Sequence, residues 1–375
     1  MSQLVDVPDR RCRLIPRLLF SLLLPFFALF AKEELPKVPP GVLAPVDTLF
    51  DLPLTRGLGL VYQDRYEEAA ALFDSLQQVY PDHPAPFFYK AAVYQAWMSS
   101  YRFSDFQEAL EENVQLAIDK GNELLKVRED DPWVNFYLGA AYGYRGLFRF
   151  RSFNWIGAYM DAKKGVGNFD KALEKDSTLY DVYLGFGTYH YWRTARSKFL
   201  RVIAFWMKDK RELGLEQMRF AIAHGRYAAD EAAFSLFYSL FDYGQYAEAE
   251  QVLNRFMRKY PSGQQIIGTL YFQGRLKAQM EQWDEAKAIF AEILRRLEGY
   301  PYPSPGYQVE CKYWIACALA AEGDALAAQK LVSEALAQSE LRDKDKELES
   351  PLNGFDEIVD WLKELDKSLQ KAQSG

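Results

Sequence analysis

The chain's 375 residues include only three histidines, His83, His190 and His224. Metal binding or acid–base catalysis would want two of them, or one with a partner acid, at a short and regular spacing. They have none. His83 stands in an Asp-His-Pro turn, His190 at a packing position of a helical pattern, and His224 before Gly225, where an imidazole can meet free carbonyls at a helix end. Gly165-Val166-Gly167 and Gly185-Phe186-Gly187 have the composition of phosphate-cradling loops. Both lie inside helical periodicity with no strand before them, so they read as small residues at helix contacts. No P-loop, nucleophile elbow or metalloprotease motif occurs, and Glu33-Glu34 and Glu111-Glu112 read as solvated faces. The expectation is a chain with no catalytic residue, no metal and no cofactor, and so not an enzyme.

Recognition chemistry is better represented. Between Arg193 and Arg211 stand seven basic residues, Arg193, Arg196, Lys198, Arg201, Lys208, Lys210 and Arg211, against the single acid Asp209. They enclose an apolar run, Phe199 to Met207, and follow Tyr189, Tyr191 and Trp192. A second cluster holds Tyr142, Tyr144, Arg145, Phe148, Arg149, Phe150, Arg151, Phe153 and Trp155. Rings beside long cationic side chains suit anionic or extended ligands through charge and cation–π contact. They also suit a helix lying in a membrane interface, or simply the space between packed helices.

These residues must be held by helices, and one spacing shows how. Tyr66, Ala69, Phe73, Leu76 and Pro81 are separated by the same steps as Tyr246, Ala249, Leu253, Phe256 and Pro261. Weaker copies run through Trp283, Ala286, Phe290 and Ile293, through Ala325, Ala328, Val332 and Ala335, and through Ala162, Gly165, Phe169 and Ala172. Steps of three and four place such residues on one helical face. The small second residue lets a neighbouring helix come close. Upstream lie Leu138-Gly139 with Tyr142, Phe186-Gly187 with His190, Ala91 with Tyr94 and Ile315-Ala316 with Leu319, a first helix for each pair.

Together the two patterns resemble the tetratricopeptide repeat, a helix-turn-helix unit that stacks into solenoids. Ser177 stands where the terminal proline belongs, and no helix keeps the expected tryptophan. The resemblance implies an all-α solenoid of about six hairpins over residues 46–340. It interprets the stretches 96–131 and 193–213 as insertions, residues 32–45 as a linker, and 341–375 as a charged linker and a helix. On that helix Phe355, Ile358, Trp361, Leu362, Leu365 and Leu369 form one stripe, as expected of a cap over the open end.

Residues 1–31 carry Arg10, Arg11, Arg13 and Arg17 before an apolar run from Leu18 to Phe30. Thirteen helical residues span about 20 Å, short of a bilayer core. An export signal is therefore expected, with an uncleaved anchor as the competing reading, and a bacterial periplasm or membrane-associated envelope as the compartment. Without this segment 41 basic residues face 50 acidic ones. So acidic a chain is a poor general binder of nucleic acid. Cys311 and Cys317, six apart on one helix, lie about 9 Å apart along it, too far to bridge.

The resemblance implies a non-catalytic scaffold whose concave face, built from the first helix of each hairpin, holds a protein segment. Helical register places Phe88, Thr188, Tyr191, Trp192, Phe234, Tyr238 and Phe241 on or near that face. The alternative partner is a non-protein ligand, an envelope glycan or an anionic lipid headgroup, held by the aromatic and basic clusters.

Overall fold

The computed structural model describes residues 34–195, 208–260 and 266–374, which form fifteen α-helices and no strand. The reading of residues 1–31 as a signal, the apolar run from Phe199 to Met207, and Arg196, Lys198 and Arg201 lie outside the described residues. In chain order the helices are α1 (Asp51–Val61), α2 (Tyr66–Val79), α3 (Pro84–Tyr101), α4 (Gln107–Leu125), α5 (Pro132–Arg151), α6 (Trp155–Lys175), α7 (Val182–Ala195) and α8 (Arg211–His224). Then follow α9 (Ala229–Tyr243), α10 (Tyr246–Met257), α11 (Ile267–Gln279), α12 (Trp283–Leu297), α13 (Pro305–Ala321), α14 (Ala325–Ser339) and α15 (Phe355–Ser374). Among the described residues no helix is long and apolar enough to cross a membrane.

Successive helices pair into tetratricopeptide-like hairpins, α1 with α2 through α13 with α14, and α4 packs on α5, α6 on α7, α8 on α9 and α12 on α13. The described residues hold seven such hairpins, one more than the spacing alone suggests. The residue that hid the seventh is Leu110. α4 buries Leu110, Val114 and Ala117 at the usual steps, but a leucine occupies the small position. The stretch 96–131 is therefore the end of α3 and the whole of α4 rather than extra chain.

The recurring residues do what their spacing requires. Ala69 and Phe73, Gly165 and Phe169, Ala249 and Leu253, Ala286 and Phe290, and Ala328 and Val332 are all buried. The glycine pairs have a separate reason. A Cβ on Gly187 would stand 2.8 Å from the Gly214 carbonyl, and one on Gly139 would stand 3.0 Å from that of Gly165. α7 and α8, like α5 and α6, cross at a distance that only paired glycines allow.

Five hairpins turn in the same way. Asp64, Phe153, Gly244, Glu281 and Gly323 each stand two residues before the second helix in the left-handed conformation. In each turn the next residue's N–H donates five residues back, as from Asn154 to Arg149 at 2.8 Å or from Asp324 to Leu319 at 2.9 Å. These bonds satisfy carbonyls that the helix end leaves open.

The described residues form two compact units. One runs to Gln95 and from Gln107 to Tyr260, and the other takes Ala96–Phe106 and the chain from Ile266 onward. In the second unit α15 lays Ile358, Trp361, Leu362 and Leu365 on α13 and α14, with Trp361 against the Tyr313 and Trp314 rings. The charged linker before it is a packed strap. Ser104 N donates to Lys346 O at 2.9 Å, Leu348 N to Arg102 O at 3.1 Å, and Glu347 is buried against Gly306 N at 2.8 Å.

Candidate binding surfaces

In the first unit the first helices of the hairpins meet through large rings. Phe88 and Tyr89 of α3 pack on Tyr137 of α5, and Trp133 packs on Tyr227 just before α9. The chain that precedes α1 enters this cluster. Asp47 accepts from the Tyr137 hydroxyl at 2.6 Å and from Leu49 N and Phe50 N, while its own N–H donates to the Tyr227 hydroxyl at 3.0 Å. Tyr227 in turn donates to Asp51 at 2.8 Å, and Arg226 grips the same carboxylate through three contacts. At the far end of α1, Tyr62 packs edge-on against Phe256 of α10, with ring centroids 5.4 Å apart. The first hairpin of the unit therefore touches its last.

Burial pushes the Asp47 carboxyl up and the Tyr89 and Tyr137 phenols far up. A raised carboxyl beside phenols is a common composition for an acid catalyst. Here Tyr137 and two backbone N–H groups occupy its oxygens, so it acts as a staple. Asp181 does the same for the entry to α9. Burial raises its carboxyl, which accepts from the backbone N–H of Arg226, Tyr227 and Ala228.

The structure divides the residues expected on the concave face. Phe88 is buried among Tyr89, Tyr137 and Tyr144. Tyr191 is fully buried, donating to Ser239 O and to Asp242 at 2.7 Å each. Neither ring faces a groove, because an inward position on a first helix carries it into rings from neighbouring elements. Thr188, Trp192, Phe234, Tyr238 and Phe241 remain half-buried. Trp192 lies against Tyr238 with centroids 4.9 Å apart, and Phe234, Tyr238 and Phe241 follow at helical steps on α9. These rings make a ladder across two successive first helices.

The basic segment is partly engaged with its own chain. Arg211 donates to Asp209 at 2.6 Å and stacks 4.3 Å from the Tyr243 ring. Arg193 lies over the Tyr189 ring and donates to its hydroxyl at 3.3 Å. Lys208 is exposed and Lys210 half-buried. His190, at its packing position, meets Gln217 at 2.7 Å. His83 packs on Phe50, and burial pushes its imidazole down to about 4, so it is neutral at physiological pH. Among the described residues no group of histidine, cysteine and acid side chains could hold a metal.

The second aromatic cluster splits differently. Tyr142 and Phe148 are buried, whereas Phe150, Phe153, Trp155, Ile156, Tyr159 and Met160 are exposed around the α5–α6 turn. Behind them Asp161, itself buried, pairs with Arg145 at 2.8 Å and with Arg149 at 2.9 Å.

In the second unit, Glu310 is buried between Arg102 at 2.7 Å and Arg275 at 3.0 Å, with Tyr271 donating at 2.9 Å. Arg102 stacks 3.6 Å from the Tyr307 ring. Burial would raise the Glu310 carboxyl, but the two guanidiniums outweigh it and hold it low. A cavity of about one water molecule's size adjoins this group, lined by Arg102, Tyr307, Glu310 and Glu347. It has no room for a substrate. Cys311 and Cys317 are both buried; burial pushes the Cys311 thiol well up and that of Cys317 to about 12, so neither is a thiolate nucleophile.

Periodicity gives no sign of the Asp47–Tyr137–Tyr227 cluster or the Arg102–Glu310–Arg275 group, whose members are far apart in the chain. The Phe153 turn was detectable, by aligning the chain's own hairpins on Gly244 and Gly323.

No protein-family profile and no curated protein sequence matches the chain. Solved structures similar to it include a tetratricopeptide protein of Thermus thermophilus, at 16% identity over 61% of this chain and 97% of that one, with a TM-score of 0.37. The C-terminal part of a tetratricopeptide-containing protein of Cytophaga hutchinsonii matches at 14% identity over 82% and 99%, with a TM-score of 0.40. A monomeric mutant of IFIT1, solved with m7Gppp-AAAA, matches at 12% identity over 86% and 71%, with a TM-score of 0.41. At these scores the likenesses carry no argument about partners.

Proposed function

We propose that the protein is a non-catalytic scaffold of the cell envelope that holds a protein segment along the ring ladder of Trp192, Phe234, Tyr238 and Phe241. The ladder carries the reading. Half-buried rings at helical spacing on adjacent first helices offer successive apolar pockets to an extended or helical peptide. Their burial on one side fixes their orientation, so less side-chain freedom is lost on binding. Arg193 and Arg211, already seated on tyrosine rings beside the ladder, favour an acidic flank in that segment. The envelope location rests on the sequence of residues 1–31.

A photo-crosslinker placed at Tyr238 in cells, with Lys344 as the control, tests the reading. A discrete protein adduct at Tyr238 alone, lost on Trp192→Ala with Phe241→Ala, is expected. Equal adducts at both positions, or capture that survives the double substitution, would remove the ladder from the function. The mass of the mature N-terminus tests export separately.

A further inference from the structure

The turn between α5 and α6 breaks the chain's own rule. Of the five equivalent left-handed positions, two are glycine, two are the acids Asp64 and Glu281, and the fifth is Phe153 at φ 59°. A left-handed backbone penalises any side chain, and glycine escapes the penalty. The Phe153 ring gains little from the fold in return: it meets the Trp155 ring edge-on, with centroids 6.0 Å apart, and stays 70% exposed. The chain thus places a large apolar ring where both backbone and water disfavour it.

Its neighbours extend the same choice. All residues from Ser152 to Ile156 are exposed whichever way they face, so the hairpin end projects from its surroundings. Trp155 is 54% and Ile156 69% exposed, followed one turn later by Tyr159 and Met160. Residues 155 and 159 form one stripe and 156 and 160 the next, so the end is apolar around a wide arc. A protein groove takes one stripe of a helix. A lipid interface accepts the whole end and favours Trp and Tyr at its polar boundary. A basic collar lies behind the rings. Arg145 and Arg149 sit one to two turns back on α5, and the exposed Lys163 and Lys164 do so on α6. Asp161, the only acid between Gly143 and Lys164, is buried in ion pairs with Arg145 and Arg149, so an excess of positive charge remains at this end of a chain whose net charge is -7.

We propose that the α5–α6 hairpin end docks on an anionic lipid bilayer, with Phe153, Trp155, Ile156 and Tyr159 entering the interface and Arg149, Lys163 and Lys164 meeting lipid phosphates. The rings stand at the end of the hairpin and the cations about 6–15 Å behind, the order of depth that long basic side chains need to reach headgroups. This dock is separate from the ring ladder, and either can fail without the other.

Flotation of the full-length protein with phosphatidylcholine vesicles, with and without phosphatidylglycerol, tests the proposal. Wild type is expected to float with the anionic vesicles, more weakly at higher salt and more weakly with neutral ones. Phe153→Gly removes an apolar ring without burdening the backbone, and Ile156→Ser changes an exposed side chain, so both variants should fold. Each is expected to lower partition by about tenfold. Absence of wild-type flotation at low salt would overturn the dock. So would variants that float like wild type, which would place binding elsewhere in the chain. Loss of self-association in Phe153→Gly with unchanged flotation would also overturn it and make the end a contact between copies.

Discussion

The Tyr137 hydroxyl donates to the Asp47 carboxylate at 2.6 Å across 90 residues of sequence, and this bond fastens the chain before α1 to a core of rings. Removing the hydroxyl leaves a buried carboxylate short of a donor, which costs about 1–3 kcal/mol. Tyr137→Phe should therefore lower the denaturant midpoint and speed proteolysis within residues 34–50. A variant as resistant as wild type would show that the staple does not hold this segment.

The crossing of α7 and α8 depends on Gly187, since a Cβ there would meet the Gly214 carbonyl at 2.8 Å. Gly187→Ala should destabilise by about 1–3 kcal/mol, the usual range for overpacking. Gly143, in the middle of α5, has nothing within 4 Å of where a Cβ would be. Gly143→Ala should stabilise by about 0.5–1 kcal/mol through helix propensity alone. Chemical denaturation of the pair checks the contrast, and equal effects would refute the close crossing.

The left-handed turns can be compared with one another. Phe153→Gly and Glu281→Gly relieve the same backbone conformation, at φ 59° and 57°. Both should gain about 1 kcal/mol. A thermal melt of each variant is enough. A loss at Phe153 with a gain at Glu281 would mean that the Phe153 ring contributes to the fold.

Acid should act oppositely on the two units. Glu310 is held below its ordinary 4.5 by Arg102 and Arg275, against the effect of burial. Its stabilisation is present above that value and is lost as pH falls through the lower folded value. Burial raises Asp181 and Asp47 above 3.8, so their ionisation costs the folded state above their raised values, and acidification relieves that cost. Hydrogen exchange followed from pH 7 downward should show α13 opening before α9. Glu310→Gln, which leaves two buried guanidiniums without their charge partner, should destabilise by about 3 kcal/mol or more and flatten the acid response of α13.

The fold is most legible in the sequence where the physics is local. The alanine of Tyr66-x-x-Ala69 and the glycine of Ala162-x-x-Gly165 both pack as the spacing requires, because helical period and side-chain size act within a few residues. α4 departs from the repeated pattern because Leu110 fills a place where the pattern expects a small residue. Register put Tyr191 and Phe88 on the inward side, but register does not say what stands opposite them.

By itself the sequence determined that the chain folds as stacked helical hairpins, and which stripe is buried on the second helices that carry the repeated spacing. These follow from periods of three and four. The tertiary structure alone decided that Asp47, Tyr137 and Tyr227 meet and that Tyr62 reaches Phe256. It also decided that the strap at Lys346 pairs with Ser104. Such meetings depend on small rotations accumulated from hairpin to hairpin, and on ring sizes matched between residues far apart in the chain, neither of which any short window of sequence contains.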